Sequence, residues 1–114
     1  MEHMKIYISG KITGLPILEA QEIFEKAVID IRKRGHIAVS PSWISGILPG
    51  MDWTTYMTIA YGIIHDPSVE AVYMLKNWKE SRGAIIEWGW AQARGLPVFY
   101  QNPADYIKYE RSAQ

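Results

Sequence analysis

Two stretches of this sequence place chemically capable side chains where a strand ends or a helix begins. The first is Tyr7-Ile8-Ser9-Gly10-Lys11-Ile12-Thr13-Gly14, in which a β-forming run stops at a loop with hydroxyls and two glycines. Glycine lets backbone amides approach an anion or a sugar closely. A strand-to-helix turn also needs glycine for purely geometric reasons, so spacing alone leaves both uses open. The stretch is not a dinucleotide fingerprint, because G-x-G-x-x-G is absent, and not a P-loop, because no G-K-[ST] follows. Ser9, Gly10, Ile12 and Gly14 are the candidate substrate-binding positions here.

The second stretch is Ser81-Arg82-Gly83-Ala84-Ile85-Ile86-Glu87-Trp88-Gly89-Trp90-Ala91. Ser81 stands where a helix would be capped; its hydroxyl and the free amides of the first turn either hold a phosphate or simply close the helix. Glu87 is the only charge between Arg82 and Arg94 in a run that otherwise reads as buried. A carboxylate in such surroundings needs a partner, unless it snorkels to the surface. At about 100° per residue, Glu87 shares a helix face with Gly83 and Ala84, one turn nearer the anion-binding end. A phosphate held there would lie within a sugar's width of the carboxylate. Such a carboxylate can attack an anomeric carbon and form a glycosyl ester that water or a second base resolves. Tyr7 is the candidate to orient it by a hydrogen bond, which also favours the ionised form.

Five Trp and seven Tyr are many for 114 residues. Trp43, Trp53 and Trp78 fall in or beside the loops of the candidate site, where a flat ring can stack on a nucleobase. Ordinary apolar packing is the alternative for each, and Trp88 and Trp90 read as core or interface. Ser81, Gly83 and Trp78 complete the candidate substrate contacts.

These groups must be positioned by regular elements. Lys5 to Ser9 reads as a first strand, with a loop from Gly10 to Pro16. From Leu18 to Arg34, Ile23, Phe24, Ala27, Val28 and Ile31 recur at helical spacing, and Gly35 is the stop. His36 to Ser40 is a second strand, closed by Pro41. An ordered loop is expected from Pro41 to Met51, then a helix from Trp53 to about Ile64 with Asp52 as its N-cap. Val69 to Leu75 is a third strand. The loop Lys76 to Arg82 leads to a helix from about Gly83 to Arg94, closed by Gly95. Pro97 to Tyr100 is a fourth strand and Pro103 to Tyr109 a terminal helix. Strands alternating with helices on short connections imply right-handed crossovers and a parallel sheet covered on both faces. The expectation is an α/β three-layer sandwich of the flavodoxin/Rossmann-like kind, with four to five parallel strands and the first strand central. Ligands of such sheets bind beyond the carboxyl ends of the strands at the topological switch point, which points to the loops after the first and third strands.

The totals limit the partners. One domain over residues 1–114 is expected at this length, with Met1 to His3 an appendage ahead of a natural start at Met4. Twelve Lys and Arg balance twelve Asp and Glu, which argues against a nucleic acid polymer as ligand. With no cysteine and with His3, His36 and His65 far apart, neither a disulfide, a thiolate nor a metal site is expected. No run approaches a membrane span and the start lacks a secretory pattern, so a cytoplasmic protein is expected.

These two stretches, with Tyr56-Met57 and the run Lys76 to Ala84, resemble the DUF4406 family within the nucleoside 2-deoxyribosyltransferase-like superfamily. The resemblance covers about Met4 to Tyr100. It rests on Tyr-Ile-Ser-Gly-x-Ile-Thr-Gly and on Trp-x-x-Ser-x-Gly-Ala-x-x-Glu. Members of that superfamily cleave the bond between sugar and base through a glutamate in a Gly-x-x-x-Glu-x-Gly-x-Ala helix, which Gly83, Glu87, Gly89 and Ala91 match. The resemblance implies Glu87 as nucleophile, Tyr7 beside it and Ser81 at a 5′-phosphate. The implied ligand is a nucleoside or nucleotide, no cofactor is implied, and a homodimer or higher homo-oligomer is. One position departs: where relatives carry an aspartate in a pattern like Tyr-Met-x-x-Asp-Leu, this chain has Ala60. Loss of that acid would remove general acid–base help of about 10²–10⁴-fold, and Asp52, His65 or Asp66 are the candidates to replace it. A nucleotide-binding protein that lacks turnover is the competing expectation.

Overall fold

The computed structural model describes residues 3–41 and 52–110. In chain order they form β1 (Lys5–Ser9), α1 (Ile17–Lys33), β2 (Ile37–Val39), α2 (Trp53–Ile64), β3 (Ala71–Met74), a 3-10 turn (Trp78–Glu80), α3 (Arg82–Arg94), β4 (Val98–Tyr100) and a π-helical turn (Tyr106–Glu110). All four strands run parallel in the order β2-β1-β3-β4. The first strand is therefore interior, and the chain crosses to either side of it: β2 pairs with one edge and β3 with the other. That reversal is the topological switch point, and it lies between β1 and β3.

Period-2 alternation in β1 and β3 divides the interior into two cores, one on each face of the sheet. Ile6, Ile8, Ala71, Tyr73 and Leu75 pack with Phe24, Ala27, Val28 and Ile31 of α1. Tyr7, Val72 and Met74 point the other way, into a core with Ile64 of α2 and Ala84 and Ala91 of α3. Helices on both faces of a parallel sheet make the three-layer α/β sandwich that the alternation of elements predicts.

The helix ends follow the sequence signals. Asp52 caps α2 by accepting from the Thr55 amide at 2.7 Å, and Ser81 caps α3 by accepting from the Ala84 amide at 3.1 Å. Gly95 ends α3 in the left-handed region at φ 77°, where a Cβ would be strained. Three elements differ from expectation, and the first of them is the second strand, which spans Ile37–Val39 and not the full run from His36 to Ser40. The third strand starts at Ala71 rather than Val69, because the Val69 amide is used in a turn to the Asp66 carbonyl. The terminal helix, expected from Pro103 to Tyr109, begins at Ala104 and loosens into a π-helical turn over Tyr106–Glu110. It is tethered by buried Asp105, which accepts from the Trp78 indole at 3.1 Å and the Lys79 ammonium at 3.2 Å. The expected ordered loop from Pro41 to Met51 lies outside the described residues beyond Pro41, and Trp43 with it. Among the described residues no helix is long and apolar enough to cross a membrane.

Candidate active site

The buried positions of α3 are Gly83, Ala84, Glu87 and Ala91, a stripe of small residues interrupted by one acid. Small side chains let the helix axis approach the sheet, so the longer Glu87 side chain reaches β1. On β1, Tyr7 and Ser9 are two residues apart and share the face that α3 covers. The Tyr7 hydroxyl donates to Glu87 Oε2 at 2.6 Å and the Ser9 hydroxyl donates to Oε1 at 2.6 Å. Bonds this short are those expected when the acceptor is a carboxylate. Tyr7 and Ser9 are fully buried, and Glu87 is 2% exposed.

Two opposing effects set the charge of Glu87. Burial penalises the ionised form and pushes the carboxyl up to about 7, while the hydrogen bonds from Ser9 and Tyr7 pull it back. The group is thus poised between its two forms at neutral pH, whereas an ordinary glutamate is fully ionised there. Burial, followed by the Glu87 charge, also holds the Tyr7 phenol well above its usual value, so Tyr7 stays protonated and remains a donor. Among the described residues no group of three or more His, Asp or Glu side chains is placed to hold a metal ion.

The remaining candidates divide by location. Gly10 lies against Leu75, just past the end of β3: a Cβ there would meet Leu75 Cδ1 at 2.5 Å and Leu75 Cβ at 2.9 Å, so the glycine allows two neighbouring loops to touch. Those loops are tied again where the Lys11 amide donates to Asn77 Oδ1 at 2.9 Å. Ile12 packs against the α1 side of the sheet, and Gly14 takes a left-handed turn at φ 89°. Ser81 is engaged as the N-cap of α3. Gly83 makes room for α2, since a Cβ would stand 3.2 Å from Met57 Sδ and 3.5 Å from Trp53 Nε1.

Trp78 corrects one expectation. Its ring is 2% exposed, stacks on Trp88 at 5.6 Å and meets Tyr109 edge-on at 5.1 Å, so it anchors the core instead of offering a stacking surface. The 3-10 turn that opens the second loop drives it inward. Trp88 packs as expected, its indole donating to the Tyr100 hydroxyl at 2.8 Å. Trp90 meets Tyr61 edge-on at 5.0 Å on the outer side of α2 and α3. Trp53 stays partly open, with the Arg82 guanidinium 4.7 Å above its ring.

Of the three acids or bases weighed as replacements at Ala60, two sit at the wrong end of the sheet. Asp66 accepts from Ser68, whose hydroxyl bonds the Lys5 ammonium, so Asp66 and the adjacent His65 lie at the start of β1. Asp52 lies at the opposite end of its helix, where hydrogen bonds from Thr55 hold its carboxyl below the usual range. Sequence reasoning gave Tyr56 no role, yet burial and then the nearby Glu87 charge hold its phenol above the usual value, which places it beside the Tyr7, Ser9, Glu87 cluster. The available signal was its helical spacing with Ala60 and Ile64 on the inward side of α2.

Neither a curated protein nor a solved structure matches the chain. The sequence profile described as Domain of unknown function (DUF4406) matches residues 4–100, a span that holds β1, α3 and every residue of the Tyr7, Ser9, Glu87 cluster. The chain belongs to the DUF4406 family.

Proposed function

We propose that this protein cleaves or transfers at the N-glycosidic bond of a nucleoside or nucleoside 5′-monophosphate, with Glu87 as nucleophile. The observation that carries the reading is the buried Glu87 carboxylate held by one hydroxyl on each oxygen, toward the carboxyl end of β1 beside the switch point. A carboxylate oxygen that accepts one hydrogen bond keeps a second lone pair for attack. In the proposed reaction that pair forms a bond to the anomeric carbon as the bond from carbon to the base nitrogen breaks. The electron pair leaves with the base, which takes a proton from solvent water, and water or a second base then displaces the glycosyl ester. The superfamily resemblance supports the same assignment, with Tyr7 and Ser9 keeping the carboxylate aimed and the amino end of α3, at Ser81 and Gly83, facing a 5′-phosphate. The chain would act as a homodimer or higher assembly if it follows the relatives it resembles.

Ala60 favours a second reading. It is 2% exposed and carries only a methyl where the resembled enzymes have an acid, so a protein that binds a nucleotide without turning it over is the competitor. One experiment separates the two. Incubation with a panel of nucleosides and nucleoside 5′-monophosphates, followed by chromatography, should release free base, and Glu87→Gln should abolish release. Saturable binding in calorimetry with no base released from any of them would replace the first reading by the second.

A further inference from the structure

The two faces of the sheet are covered unequally. On the face away from Glu87, α1 lies over β1 and β2, and among the described residues the core there takes side chains from no other helix. Tyr73 of β3 and Phe99 of β4 are register partners that turn toward this face, so their rings form the floor of a hollow beside α1. Ile6 and Ile31 complete its apolar wall, and Asp30, Arg34 and His36 stand around it. The space is about 370 Å³ out to the solvent at its mouth, at the small end of the range of about 300–1,000 Å³ typical of ligand sites.

The polar groups around the hollow hold charge and donors of both kinds in reserve. Asp30 and Arg34 are four residues apart at the end of α1, a spacing at which opposite charges ordinarily pair. Glu22 and Lys26 do so on the same helix at 3.6 Å, yet among the described residues no ion pair engages Asp30 or Arg34. The Met4 amide donates to His36 Nδ1 at 3.1 Å, so the ring hydrogen sits on Nε2, which is left as a donor. A cation and a carboxylate one helical turn apart, about 6 Å along the axis, match a ligand that carries both charges itself. A purely anionic ligand would meet repulsion from Asp30, and a purely cationic one from Arg34.

We propose that this hollow binds a free aromatic α-amino acid, its carboxylate on Arg34 and His36, its ammonium on Asp30 and its ring against Tyr73 and Phe99. Carboxylate and ammonium share one carbon in such a ligand, so a single turn of α1 reaches both. The two aromatic walls favour an aromatic side chain, through offset or edge contacts between rings. Tyr7, the partner of Glu87, faces the opposite core, so the amino acid site stands apart from the glycosidic chemistry and does not depend on it.

The probe is L-phenylalanine, followed by amide shifts in ¹H–¹⁵N NMR spectra of the full chain. Addition up to about 10 mM should give saturable shifts centred on Ile6, Ile31, Tyr73 and Phe99, the affinity range of a small ligand with few contacts. Phenethylamine, which lacks the carboxylate, and 3-phenylpropionate, which lacks the ammonium, should each bind roughly tenfold more weakly, as each loses a hydrogen bond to a charged group. Arg34→Gln should weaken L-phenylalanine and leave phenethylamine no worse, while Asp30→Asn should weaken L-phenylalanine and leave 3-phenylpropionate no worse. Both positions are exposed, so the variants keep the fold. No saturable shift at this concentration overturns the proposal, and so do shifts centred elsewhere. Equal binding of either analogue also overturns it, since an apolar notch without recognition of charge would then account for the effect.

Discussion

Tyr7 and Glu87, 80 positions apart in the chain, meet in a hydrogen bond of 2.6 Å inside the core. The bond joins the second residue of the sheet's inward face to the only acid on the buried side of α3, and the Ser9 hydroxyl occupies the other carboxylate oxygen at 2.6 Å. A buried carboxylate that still titrates near neutrality disfavours the fold in its charged form, a cost that sites of chemistry commonly carry and purely structural positions commonly avoid.

Glu87→Gln should therefore stabilise the protein while removing activity. The folded carboxyl titrates at about 7 and the unfolded one near 4.5, so between those values the folded chain holds the extra proton and stability falls as pH rises. The loss is complete above about 7 and amounts to roughly 3 kcal/mol. Thermal or urea unfolding from pH 4 to 9 should show this decline in the wild type and lack it in Glu87→Gln.

The rate of base release should rise with pH through about 7, because only ionised Glu87 is a nucleophile. Measured as kcat/KM, the rising limb belongs to the free protein. A profile already flat from pH 5 upward would be that of an ordinary exposed glutamate.

Gly10→Ala should cost about 1–3 kcal/mol, since the new methyl would lie 2.5 Å from Leu75 Cδ1 and 2.9 Å from Leu75 Cβ, and Leu75 is fully buried. Gly83→Ala should cost less, because its nearest neighbour is the flexible Met57 side chain at 3.2 Å. Urea midpoints of the two variants should fall in that order.

Trp78→Phe should destabilise by about 1–3 kcal/mol, as Asp105 Oδ2 loses its indole donor in a buried site. Nucleotide affinity should change little, in keeping with a ring that is part of the core. A large selective loss of binding at unchanged stability would return Trp78 to the site.

Ala60→Asp should lower stability, since it buries a carboxyl at a 2% exposed position, and should raise the rate of base release. Chromatography of nucleotide reactions with both proteins checks this. A rate that falls along with stability would mean that the methyl belongs to this site as it stands.

Much of this protein follows from local chemistry written into the sequence. Asp52, Ser81 and Gly95 mark helix ends by capping and left-handed geometry, and alternation in β1 and β3 gives strands covered on two faces; such signals act within a few residues and need no distant partner. Glu87 stood out for a similar reason, as a lone charge in an apolar helix. Tertiary structure decided what local patterns leave open. Ser9 became a partner of Glu87 and Gly10 a packing contact with Leu75, because pairing of β1 with β3 sets which distant elements those side chains meet. Trp78 turned into the core because Asp105, beyond the last strand, supplies its hydrogen-bond acceptor. Tyr56 came to lie near Glu87 only when α2 packed against α3, since the charge a phenol meets is set by elements distant in the chain.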